Sequence, residues 1–141
     1  MTYAACPQCL KLNKISPERA RTSRPICGAC RAEIDFHDGI LNASVRQAQT
    51  LIAKSPLPVV IDFWAPWCAP CRAFAPTFER VAGESMSRAV FVKVNTEADP
   101  SAGPAFGIRG IPTLAVFKAG SEVARESGAM PYEMFRNWLQ L

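Results

Sequence analysis

The chain has 141 residues, 49% of them hydrophobic and 20% charged, with a formal net charge of +4. That balance excludes a globally disordered chain, and the length holds one compact domain plus a small appendage but not two full domains. The longest apolar runs, such as Pro58 to Ile61 and Leu114 to Phe117, fall far short of the roughly 20 residues needed to cross a bilayer, so no membrane-spanning helix is expected.

Charge is unevenly distributed. Residues 1–31 carry Lys11, Lys14, Arg19, Arg21, Arg24 and Arg31 against Glu18 alone, whereas the rest of the chain is close to neutral. Met1 to Cys6 shows no basic start followed by an apolar run, so no secretory signal is visible and the cytosol is the expected compartment. All six cysteines fall as Cys-x-x-Cys pairs, Cys6/Cys9, Cys27/Cys30 and Cys68/Cys71. In a reducing compartment such pairs point to metal binding or redox chemistry rather than to structural disulfides.

Residues 1–35 show neither helical nor strand periodicity, and Pro7, Pro17, Pro25 and Gly28 punctuate them, which predicts a loop-rich segment that needs a staple. Beyond them Ile40, Val45, Ala48, Leu51 and Ile52 recur at helical spacing, predicting a helix over 43–54 with Asn42 or Ser44 as its N-cap. Ser55-Pro56-Leu57-Pro58 ends it. The β-branched and aromatic run Val59 to Trp64 predicts a central strand buried on both faces. After Cys68, apolar residues at Phe74, Phe78, Val81 and Ala82 mark one face of a helix that Pro76 should bend. Residues 89–94 read as the next strand, completing a right-handed β-α-β unit with parallel strands. The runs 113–117 and 122–127 predict an antiparallel hairpin, and 131–141 a closing helix with Met134, Phe135, Trp138 and Leu139 on its apolar face.

Cys6-x-x-Cys9, 17 intervening residues and Cys27-x-x-Cys30 match the spacing of a four-cysteine zinc site. Each pair can form a tight turn aiming two thiolates at one ion, and the surrounding cations would offset part of the resulting negative charge. Two disulfides or free thiols are the alternatives. Zinc is favoured because a segment so poor in apolar residues lacks a core of its own. Four protein ligands leave no position for water, so the ion would be structural, one per chain. The basic residues show no aromatic interleaving and no recognition-helix pattern, so nucleic acid is not an expected partner. His37, the single histidine, is expected to be an ordinary linker residue.

Trp67-Cys68-Ala69-Pro70-Cys71 sits at the strand-to-helix junction. A thiol at the first turn of a helix meets unpaired backbone N–H groups and the positive end of the helix dipole, which favours the thiolate and makes Cys68 the nucleophile. Cys71, one turn further in and shielded, would resolve the mixed disulfide. A lone Asp62 in an apolar strand should have its pKa raised by desolvation. No Gly-x-Gly-x-x-Gly motif is present, so electrons must come from a partner rather than a bound dinucleotide or flavin.

The run Val59-Val60-Ile61-Asp62-Phe63-Trp64-Ala65-Pro66-Trp67-Cys68-Ala69-Pro70-Cys71, with Ile111-Pro112-Thr113 some forty residues later, resembles the thioredoxin family. The cysteine-rich leader is similar to that of its zinc-containing bacterial thioredoxin 2 subgroup, the thioredoxin C type. The resemblance implies an α/β thioredoxin fold, a central mixed sheet flanked by helices over residues 36–141, with a small zinc-ribbon-like module over residues 1–35. It implies a protein-disulfide reductase cycling Cys68 and Cys71, with Asp62 moving a proton at Cys71 and Lys93 near that carboxylate. Pro112 matches the family's cis-proline, Ile111 would pair through its backbone with an extended substrate, and Trp67, Ala69 and Pro70 would shape the contact surface. The implied partners are an NADPH-dependent thioredoxin reductase and oxidised proteins, with the chain itself a monomer and no membrane involved. A different reading of the same residues is a zinc-linked redox sensor or holdase that releases metal on oxidation.

Two departures from the family pattern are visible. Ala69 replaces the usual glycine, adding a methyl at the substrate-facing turn. Pro100, Gly103 and Pro104 interrupt the helix expected before Gly107, so that helix should be short or broken.

Overall fold

A computed structural model describes residues 1–141. The N-terminal segment is more ordered than its lack of periodicity predicts. β1 (Thr2–Ala5) and β2 (Leu12–Ile15) form an antiparallel ribbon with Thr2 opposite Ile15, and one helical turn, α1 (Pro17–Ala20), follows. Four-residue strands are too short to display an alternating pattern, and Thr2, Ala4 and Ala5 of β1 are all buried. Their ordering comes from what they pack against, which the local sequence does not contain.

β3 (Phe36–His37) and β4 (Ile40–Asn42) form a hairpin whose two-residue turn is Asp38-Gly39, with φ of 53° and 82°. Aspartate followed by glycine suits two consecutive left-handed positions. Gly39 is required twice over, because a Cβ there would lie 3.3 Å from the Ala82 carbonyl oxygen and 3.4 Å from Met86 Cβ. Ile40 therefore belongs to a strand and not to the helical spacing that begins at Val45, and His37, expected in a linker, is an exposed strand residue.

α2 (Val45–Lys54) begins at Ser44, which forms a capping box with Gln47: Gln47 N donates to Ser44 Oγ and Ser44 N donates to Gln47 Oε1. β5 (Val59–Trp64), α3 (Ala69–Ser85) and β6 (Val90–Asn95) are the expected β-α-β unit, and Pro76 lies inside α3. α4 (Ala102–Phe106) is only five residues long, as its prolines and glycine predict. β7 (Thr113–Lys118) and β8 (Ser121–Ser127) form the hairpin, and α5 (Tyr132–Leu139) closes the chain. Met134 is 57% exposed, correcting its expected place in the core. The buried stripe of this eight-residue helix centres on Phe135 and Leu139, with Trp138 on its edge, and Met134 falls outside it.

The six-stranded sheet has the order β3-β4-β6-β5-β7-β8. β4, β6 and β5 run parallel, while β7 is antiparallel to β5 and β8 to β7. It is a thioredoxin-type mixed sheet with helices on both faces. One face packs Val60, Phe91 and Leu114 against Phe74, Phe78 and Val81 of α3 and Phe135 of α5. The other face packs Val59, Ile61 and Val92 with Val45, Ala48 and Leu51 of α2, and this cluster runs on through Ala4, Ala5, Cys6, Cys27 and Ile34. Gln47 Nε2 donates to the Ala5 carbonyl oxygen across this junction at 2.9 Å, fully buried. Apolar burial is the dominant favourable term in folding, so the N-terminal segment gains its order by sharing a core with α2.

Candidate active site and metal-binding cluster

β5 aims its chain at the N-terminus of α3, and Cys68 occupies the N-cap position there, with φ of −82° and ψ of 109°. Its Sγ accepts from Cys71 N at 3.2 Å, one of the amide groups that a helix start leaves without an intrahelical partner. The two sulfurs are joined as a disulfide. Arg72 fastens the turn, donating from Nη1 to the Pro66 carbonyl oxygen at 2.7 Å. Exposure does not separate the cysteines as the sequence predicts: Cys68 is 4% exposed and Cys71 2%. What separates them is direction, because Cys68 Sγ lies 3.7 Å from the Ile111 carbonyl oxygen.

Ile111 is half-buried and joined to buried Pro112 by a cis peptide bond. Trp67, 67% exposed, and exposed Ala69 and Pro70 flank Cys68 along the chain. The structure thus brings Trp67, Cys68, Ala69, Pro70, Ile111 and Pro112 to one end of the sheet. A large exposed aromatic next to a disulfide and a half-buried stretch of backbone is suited to contact with an extended polypeptide.

Asp62 and Lys93 face each other across the β5–β6 pair, on the sheet face that α3 covers. Asp62 is fully buried and neither carboxylate oxygen has a hydrogen-bond partner. Burial pushes its pKa up to about 7, opposed only by the charge of Lys93. Lys93 Nζ sits 4.4 Å from the centre of the Trp64 ring, in a cation–π position. Trp64 is itself half-buried, and its Nε1 is a buried donor with no partner. A carboxylic acid that titrates near neutrality inside a protein is suited to accepting and returning a proton.

The four remaining cysteines converge, with all four Sγ atoms within 4.8 Å of one another. Cys6 and Cys30 Sγ are 3.4 Å apart and Cys9 and Cys27 Sγ 3.6 Å, close to the roughly 3.8 Å between sulfurs around a tetrahedral ion with Zn–S bonds of about 2.3 Å. The two pairs fold alike. Cys6 N donates to Lys11 O and Leu10 N to Cys6 O, while Cys27 N donates to Ala32 O and Arg31 N to Cys27 O. Leu10 and Arg31, the residues closing each turn, both take left-handed backbone at φ of 65° and 69°. Amides aim at the sulfurs: Gln8 N and Cys9 N at Cys6, and Ala29 N at Cys27. The backbone amides of Cys30 and Ala29 bring the Cys27 thiol down to about 6. Four sulfurs at these separations, two of them, Cys6 and Cys27, fed by amide donors that favour thiolate, fit a metal ion.

Two residues that sequence reasoning passed over support this cluster. Asn13 bridges the two turns, with Nδ2 3.5 Å from Cys27 Sγ and Oδ1 accepting from Gly28 N. No local signal marks it, since its role depends on the ribbon. Gln47 ties the cluster's flank to α2, and here the Ser-x-x-Gln spacing was a readable capping signal.

Residues 39–141 match the family model for thioredoxin. The chain is 39% identical over 135 residues, 95% of its length and 90% of the relative's, to thioredoxin C-3 of Corynebacterium nephridii. It is 44% identical over 88 residues to thioredoxin 1 of Synechococcus elongatus, covering 62% of this chain and 82% of that one. Thioredoxin 1 of Chlorobaculum tepidum is 46% identical over 92 residues, covering 63% and 91%. The alignment to thioredoxin C-3 covers nearly the whole of this chain, whereas the other two leave more than a third of it unmatched. With the Cys68–Cys71 pair on a thioredoxin-type sheet, the chain belongs to the thioredoxin family of disulfide oxidoreductases, the protein-disulfide reductases.

Proposed function

We propose that the chain reduces protein disulfides by a two-step exchange in which Cys68 attacks and Cys71 resolves. The observation that carries this reading is the Cys68 sulfur at the head of α3, against the Ile111 carbonyl and beside exposed Trp67. In the reduced protein the Cys68 thiolate attacks one sulfur of a substrate disulfide, forming a mixed disulfide and expelling a substrate thiolate. Cys71 gives its proton to the Asp62 carboxylate and attacks Cys68 Sγ, which closes the Cys68–Cys71 disulfide and expels the second substrate sulfur as a thiolate that takes a proton from solvent. The backbone at Ile111, presented by Pro112, pairs with the substrate segment, while Trp67, Ala69 and Pro70 form the opposing surface. Lys93 moderates the Asp62 charge.

A thioredoxin reductase drawing on NADPH is the proposed electron donor and a reducing cytosol the proposed compartment, with the chain acting as a monomer. Cys6, Cys9, Cys27 and Cys30 would hold one structural zinc ion, and residues 1–35 and 36–141 would be the module and the reductase proper. Zinc, when bound, supplies a fixed crosslink between the two turns.

The exchange step is tested by trapping. Cys71→Ser should accumulate mixed disulfides with oxidised insulin, visible on non-reducing gels, and Cys68→Ser should accumulate none. The reverse pattern would invert the assignment of the two thiols.

A further inference from the structure

α4 is a helix that its own sequence barely supports. It spans five residues, contains Gly103 and Pro104, and starts without a side-chain cap. It ends at Gly107 with φ of 64°, and the chain then runs directly to Ile111. Helix ends leave carbonyl groups unpaired, and a short helix has little else to fix its last turn. Here a neighbouring strand supplies the missing partner. Arg125, on β8, donates from Nη2 to the Phe106 carbonyl oxygen at 2.7 Å and from Nη1 to that of Gly107 at 3.3 Å. Glu122, also on β8, holds the same guanidinium from its other edge, accepting from Nε at 3.1 Å and from Nη2 at 2.7 Å. Bidentate Arg–carboxylate pairing fixes orientation as well as distance, and the Arg125 side chain is only 31% exposed.

The far end of the same segment is held separately. Thr113 Oγ1 donates to Gly110 O, and Gly128 N donates to Pro112 O at 2.8 Å. Between the two anchors lie half-buried Ile108, which packs against the core, and exposed Arg109, and beyond Gly110 comes half-buried Ile111, whose carbonyl oxygen faces Cys68 Sγ. The Phe106 ring is seated independently against Phe63 and Phe117, at centroid distances of 5.0 and 6.1 Å. Losing Arg125 would therefore leave the Phe106 and Gly107 carbonyls without this donor and loosen their orientation, while the Phe106 and Ile108 side chains stay seated in the core.

We propose that Arg125, braced by Glu122, is a positioning residue that sets the substrate-facing backbone leading to Ile111. The proposal rests on the reading that this backbone pairs with a protein substrate. An Arg125→Ala protein should then dock a polypeptide less well while its dithiol chemistry stays intact.

The test compares wild type, Arg125→Ala, Arg125→Lys and Glu122→Gln in reduction of insulin and of oxidised glutathione, a small disulfide that needs little of the backbone strip. For Arg125→Ala, KM for insulin should rise about three- to tenfold with kcat within about twofold, and glutathione disulfide reduction should be unchanged. Arg125→Lys, which can still donate to the two carbonyls, should recover part of the loss, and Glu122→Gln should lie between wild type and Arg125→Ala. An unchanged insulin KM in Arg125→Ala, or an equal loss on both disulfides, would overturn the proposal. If Arg125→Ala is poorly folded, Arg125→Lys and Glu122→Gln carry the comparison, and unchanged KM in both would overturn it equally. A wild-type protein that fails to reduce insulin would overturn the reductase reading instead.

Discussion

Asp62 is an ionisable group placed where ionisation is costly. Its carboxyl is buried, has no hydrogen-bond donor and titrates at about 7, against an unfolded value of 3.8. Between these two values the unfolded chain releases this proton as pH rises while the folded chain keeps it. Stability therefore falls from about pH 4 to about pH 7 and is then level with respect to this group. Asp62→Asn removes the penalty, so the variant should be more stable than wild type at pH 8, by on the order of 4 kcal/mol, and should lose that advantage below pH 4. Urea unfolding across pH measures this directly. The same variant should close the Cys68–Cys71 disulfide more slowly in single-turnover reduction and lose the pH dependence near 7. A less stable variant that resolves at the wild-type rate would make Asp62 structural only. The thiol pairs and this carboxylate were legible in the sequence because each is a short pattern set against its own neighbours. Which residue faces Asp62 is a matter of strand register, and residue spacing alone does not pair Lys93 with it across β5 and β6.

Elements were legible in proportion to their length. α2, β5, α3, β6 and the β7–β8 hairpin show enough turns or alternations for periodicity to emerge, and they lie close to their predicted bounds. The β1–β2 ribbon and the β3–β4 hairpin do not, and Asp38-Gly39 was the readable sign of the second. The consequence is sharpest at α2, whose N-terminus does two jobs through one side chain. Gln47 Oε1 completes the capping box with Ser44 N, and its Nε2 satisfies the buried Ala5 carbonyl at the edge of the metal-binding cluster. Gln47→Ala should cost about 1–3 kcal/mol in urea unfolding, since it removes a cap and leaves a buried acceptor unpaired. Gln47→Glu keeps the acceptor for Ser44 but has no donor for Ala5 when ionised, so it should fail to restore the loss. Full recovery in Gln47→Glu would mean that the cap alone matters.

At the scale of the whole molecule, the cysteine cluster lies at one end of a core that continues through α2 into the sheet. Composition predicted a stapled appendage, and the staple's residues were legible, but the shared core was not, because it depends on β1 lying against α2. Holding the four sulfurs together therefore also holds Ala4, Ala5 and Ile34 against Val45, Ala48 and Leu51. A strong chelator with a thiol reductant should lower the melting temperature of the full chain by on the order of 10 °C, the shift that a few kcal/mol produces at this size. The transition should stay single, since one contiguous core unfolds cooperatively. Excision of residues 1–35 should leave glutathione disulfide reduction in place, because Asp62 lies on β5, Cys71 on α3 and Cys68 at the α3 N-cap. The same excision should uncover the α2 face, seen as increased binding of a fluorescent apolar dye and a lower melting temperature. Two separate transitions in the full chain, with a melting temperature of the larger one unmoved by chelation, would instead make the metal-binding segment an independent unit that merely rests on α2.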